Sequence, residues 1–225
     1  MRTRTQRGAG EETPRTTHRH SDKGGNIMQS RTWTGALALL VALIPGAALA
    51  HTGQGHTHDF FAGFAHPLGG LDHILAMVAV GVFAAQIGGR ALWLTPLAFV
   101  SMMVVGGVLG ANGVALPFVE TGVAASVVAL GLAVALRWSP PALLAAAFVG
   151  LFAIFHGHAH GAEMTADANG LAYGGGFVTA TALLHAAGVG LGLALARVGV
   201  SSPLAPRTAG AATAAAGLAI IGGVL

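Results

Sequence analysis

Beyond residue 66 the chain is almost unbroken hydrocarbon, divided into six apolar stretches at roughly 68–87, 91–111, 114–136, 141–160, 172–196 and 208–225. Each comes close to the roughly 20 residues a helix needs to cross a bilayer. The separators are short and rich in Gly, Pro or Asn. At 54% hydrophobic and 8% charged, the chain falls outside the soluble class. The expected fold is an all-α integral membrane protein, a six-transmembrane-helix bundle over residues 67–225. Small-xxx-small pairs such as Gly106/Gly110 and Gly188/Gly192 would let its backbones approach closely.

The basic residues give the bundle a direction. Seven of the eleven Lys and Arg residues lie in the first 31 positions, leaving Arg90, Arg137, Arg197 and Arg207. These four occupy the connections between stretches one and two, three and four, and five and six. The alternate connections and residues 51–66 carry none. An excess of Lys and Arg marks the cytoplasmic side, so both ends of the bundle should face outward. Trp93 and Trp138, near two of the arginines, suit interfacial anchors. The net charge of +3 belongs to the leader, and no nucleic-acid footprint follows from it.

That leader has two parts. Residues 1–27 are polar without an apolar period, and read as a disordered leader or as sequence upstream of the true start at Met28. Residues 28–50 read as a cleaved signal peptide: Arg31, an apolar run from Gly35 to Ile44, the breaker Pro45-Gly46, and Ala48-Leu49-Ala50 as a small-x-small cleavage site. Cleavage there makes His51 the mature N-terminus, where amine and imidazole form a chelate. Residues 51–66 then form a His-rich outer segment.

With this direction the polar residues gather in the outer half. His66, Asp72 and His73 open stretch one, Glu120 lies about a turn into stretch three, and His156, His158, His160 and Glu163 close stretch four. His185 alone is deeper, roughly 20 Å below the outer start of stretch five at 1.5 Å per residue. Ionisable groups inside a membrane are costly and usually face a cavity or a partner.

Helical spacing places His156, His160 and Glu163 on one face if the helix continues through Gly157 and Gly161. Asp72 and His73 point about 100° apart and cannot both line one straight helix face; they could share a site if Asp72 instead orients an imidazole. Met77 lies one turn below His73. Met77, Met102 and Met103 suit packing, and Ser126, Thr179 and Thr181 are expected to bond back within their own helices. The chain has no cysteine, so any metal must be held by nitrogen, oxygen or thioether sulfur. Imidazole with carboxylate suits nickel, zinc, cobalt or copper.

Two of these stretches resemble the motifs of a known family. "HPLGGLDH" is similar to the H-x5-D-H pattern, and "FHGHAHGAE" to the F-H-G-x-A-H-G-x-E pattern, of the bacterial HupE/UreJ nickel transporters. The likeness extends over the whole mature chain, signal and spans included. It implies a nickel permease of the bacterial inner membrane serving hydrogenase or urease, with His66, Asp72, His73, His156, His160 and Glu163 as motif residues. His158 occupies the variable position of the second motif. Cobalt is carried by some relatives, and cytoplasmic nickel chaperones or a homo-oligomer are compatible with the role.

The resulting expectation is a facilitator and not an enzyme, without a prosthetic group, whose cargo is Ni2+. The outer His, Asp and Glu side chains, His51 among them, capture the ion. Glu120 and the Asp72/His73 pair accept it, and Met77, Ser126 or His185 pass it across the midplane. Neutral imidazole is the ligand form, so capture should weaken as pH falls through about 6.5. Two other classes use the same residues: an intramembrane zinc-dependent hydrolase, and a membrane protein that binds metal without transporting it. Against the hydrolase stand the lack of a His-Glu-x-x-His motif and of a base left over once ligands are assigned.

Overall fold

The computed structural model describes residues 60–163, 170–199 and 204–225, all within one compact unit, Leu49–Leu225. Among the described residues every regular element is an α-helix: α1 Phe60–Gly69, α2 Leu71–Ile87, α3 Ala91–Ala111, α4 Val119–Ala135, α5 Ala142–Glu163, α6 Gly170–Gly199 and α7 Leu204–Ile221. The leader, the signal segment and His51 lie outside the described residues. Helices α3, α5, α6 and α7 are long and apolar enough to cross a membrane, and the α1–α2 pair adds a fifth span if it is counted as one. The chain is a multi-pass helical membrane protein.

Two expected spans take a different form. The first is not one straight helix from residue 68, because α1 and α2 meet at 88°. Pro67 falls inside α1, where its missing N–H deprives the helix of one bond. Gly70, at φ −104° and ψ 124°, then leaves the helix altogether and caps α2. The third expected stretch begins at Val119 rather than near 114. Pro117 biases Leu116 away from helical geometry, and Gly113 and Phe118 adopt positive φ angles of 71° and 60°. What remains of it, α4, has 17 residues and is about 25 Å long at 1.5 Å per residue.

Helix α2 is the centre of the bundle and touches all six of the others. Its Ala76, Met77, Val80 and Phe83 are fully buried and meet Phe99, Val127, Leu130 and Val149 from the surrounding helices. Around it, glycine seams join parallel neighbours. A Cβ on Gly106 would collide with the Ile154 carbonyl, and one on Gly110 with that of His158, so α3 and α5 lie backbone to backbone. Gly188 stands in the same relation to Val78 of α2. Without a hydrophobic drive between helices in lipid, such close approach supplies the dispersion contact that holds them. Both small-xxx-small pairs read from the sequence thus lie at helix contacts.

Candidate metal centre

The α1–α2 bend and the last two turns of α5 meet at one end of the bundle, opposite the end where Arg90 and Arg137 lie in the connections. Helix α5 continues unbroken through Gly157 and Gly161 to Glu163. The glycines, four residues apart, form the seam with α3: a Cβ on Gly157 would collide with the Met103 carbonyl, and one on Gly161 with that of Gly107. His156 and His160, each one residue earlier, are rotated about 100° from that seam and face the bundle interior. The alternation of histidine and glycine is thus two adjacent helix faces, one for packing and one for chemistry.

On the facing side, α2 starts at Gly70, so Asp72 sits in the first turn, where the helix dipole favours a carboxylate. Asp72 Oδ1 lies 2.8 Å from His73 Nδ1 and also accepts the His73 backbone N–H at 2.8 Å. A Cβ on Gly70 would press on Asp72 Oδ1 at 2.7 Å, so any larger residue there would have to displace this pair. These two contacts fix the His73 ring against the carboxylate. With Nδ1 held, His73 offers Nε2 outward, and it meets His160 Nε2 at 2.6 Å. One nitrogen of that pair must donate while the other accepts.

His160 is also part of a second group. Its Nδ1 lies 3.8 Å from Glu163 Oε2, and His66 Nε2 lies 3.4 Å from the same oxygen. One donor atom each from His66, His160 and Glu163 fall within 4.8 Å of one another, with His160 buried, His66 partly so and Glu163 exposed. Donors to one such ion stand about 2.0–2.1 Å from it, hence at most about 4.2 Å apart, a modest side-chain shift from this arrangement. The donor set of two imidazoles and a carboxylate matches the borderline divalent ions.

Deeper in the bundle the imidazoles continue. The His73 ring is 4.7 Å from that of His156, whose Nε2 meets Ser126 Oγ at 2.8 Å. Ser126 also donates back to Val123, and Thr179 to Gly175, as expected, whereas Thr181 turns to the Met103 sulfur. Met77 is buried in the core below His73.

Three candidates stand apart. His158 points the other way and meets the Val114 carbonyl at 2.6 Å, tying α5 to the connection before α4. Glu120 is exposed in the first turn of α4, outside the cluster. His185 lies further along α6, beyond Phe99. Sequence reasoning missed the aromatic wall of α6. Tyr173 and Phe177 are both buried, with Phe177 4.4 Å from the His160 ring and Tyr173 5.9 Å from the His66 ring. Their spacing of four residues was the available signal.

Residues 38–220 match the family model described as HupE / UreJ protein. Over 185 residues the chain is 48% identical to Protein HupE of Rhizobium leguminosarum bv. viciae, covering 82% of this chain and 95% of that relative. No solved structure matches.

Proposed function

Because this chain belongs to the HupE/UreJ family, we propose that it carries Ni2+ inward across the bacterial inner membrane for the maturation of hydrogenase or urease. The observation that carries the reading is the convergence of both motif segments at one end of the bundle, where His66, His160 and Glu163 bring three donors within 4.8 Å. By the arginine pattern that end faces outward, so the cluster is the capture site. His73, held by Asp72, receives the ion through its contact with His160, and His156 continues the path. In this reading α4 and the bent α1–α2 pair are spans as well, which brings the total to six.

The driving force needs no nucleotide. An inside-negative potential favours inward movement of a doubly charged ion by about 4.6 kcal/mol per 100 mV. Net flux then requires only that the site bind weakly enough to release.

Radiolabelled nickel uptake into proteoliposomes tests the proposal. The wild-type protein is expected to accumulate nickel under an inside-negative potential, and His73→Ala and Glu163→Ala to lose most of that uptake. Absent uptake, or uptake unchanged in both variants, would overturn the reading. Competition by cobalt, zinc and copper in the same assay ranks the cargo.

A further inference from the structure

Ser126 on α4 is fully buried, and so is His156 across from it on α5. Two contacts converge on the serine hydroxyl: its oxygen lies 2.6 Å from the Val123 carbonyl oxygen and 2.8 Å from His156 Nε2. A hydroxyl owns one proton. Two oxygens as close as those of Ser126 and Val123 repel each other unless that proton lies between them, so Ser126 donates to the carbonyl. None is left for the imidazole. The second hydrogen bond therefore runs from His156 Nε2–H to the serine oxygen, and a neutral imidazole protonated on Nε2 carries its lone pair on Nδ1. The other tautomer would set two lone pairs against each other at 2.8 Å and leave a buried N–H without an acceptor, because Nδ1 has no hydrogen-bond partner in the protein.

We propose that Ser126 is a positioning residue of the ion path: it holds the Nε2 proton of His156, so that this imidazole presents a bare Nδ1 to the divalent ion. The proposal rests on the transport reading above and adds to it the atom through which His156 acts. Only an unprotonated ring nitrogen ligates a metal. The His73 and His156 rings stand edge to face at 4.7 Å, so they must part for an ion to come between them. With the proton held on the serine side, the ion then meets a lone pair and no proton has to leave.

The two imidazoles are fixed in opposite senses by different chemistry. The Asp72 carboxylate takes the Nδ1 proton of His73 and leaves Nε2 bare, whereas the Ser126 hydroxyl takes the Nε2 proton of His156 and leaves Nδ1 bare. A hydroxyl brings no charge into the bundle interior, where an ionised carboxylate is costly. A carboxylate also raises the basicity of the imidazole it holds, and a neutral hydroxyl does so less. The ion is thus held less firmly at His156 than at His73, which favours its onward movement.

Nitrogen NMR of isotope-labelled, metal-free protein in bilayers reads the tautomer. At about pH 8, where imidazole is neutral, the His156 signals, identified by their loss in His156→Gln, should show a protonated Nε2 and a bare Nδ1. In Ser126→Ala neither nitrogen has a partner, and the signals should become those of mixed tautomers. In proteoliposomes the same variant should lose about 10- to 100-fold in nickel uptake, while equilibrium nickel binding at the outer cluster stays within about two-fold. Wild-type His156 protonated on Nδ1 would overturn the proposal, whether or not the variant folds. So would Ser126→Ala uptake at the wild-type rate, or uptake lost with the tautomer unchanged, which would leave the serine a structural role only. Wild-type protein that takes up no nickel would overturn the transport reading and the role of Ser126 with it, an outcome kept apart from the others because the tautomer is read without metal.

Discussion

At the scale of single residues, two histidines of the second motif behave differently although only one residue separates them. His160 touches His73, Glu163 and the His66 ring, whereas His158 is committed to the Val114 carbonyl. His160→Ala should therefore abolish most nickel binding, and His158→Ala should leave it within about two-fold while lowering thermal stability by about 1 kcal/mol, the worth of a lost hydrogen bond. Isothermal titration and thermal melting read the two effects separately. Asp72→Asn should weaken nickel binding by about 10- to 100-fold with little change in fold, because it removes the charge that fixes His73 rather than a donor in the cluster. Most of this was legible from spacing: i,i+3 and i,i+4 periodicity placed His156, His160 and Glu163, and the 100° step separated Asp72 from His73. What spacing cannot give is a partner from another helix. The Val114 carbonyl, Ser126 against His156 and Phe99 against His185 depend on which faces meet, and a single sequence does not state that.

At the scale of elements, the glycines decide where helices touch. Gly157→Leu would drive a side chain into the Met103 carbonyl and separate α5 from α3. Relief requires movement of backbone, so the cost should exceed the about 1–3 kcal/mol of ordinary overpacking, and the variant should fail to give a monodisperse peak on size exclusion. Gly174→Ala, on a helix position with nothing within 4 Å, should match the wild type in the same measurement. The apolar runs located five of the seven helices to within a few residues. The bend at Gly70 and the late start of α4 escaped because apolar content continues across both. Hydropathy sees solvent preference, while Pro67, Pro117 and the positive φ values at Gly113 and Phe118 act through backbone geometry.

At the scale of the whole molecule, the arginine pattern carries the direction and is open to a direct check. A single cysteine replacing Asn112 should react with an impermeant thiol reagent outside intact cells, and one replacing Gly89 only after the inner face is exposed. The reverse pattern would turn the capture end toward the cytoplasm. Parallel seams then divide the molecule. Helix α3 is locked to α5, and α2 to α6, whereas α5 and α2 pack lightly on each other. The donors straddle that lighter contact, with His66 and His73 on one side and His160 and Glu163 on the other. An ion bound between them would act as a clasp, drawing together two helix pairs that otherwise touch lightly through α2 and α5, so the spacing of the mouth would follow the occupancy of its ligands.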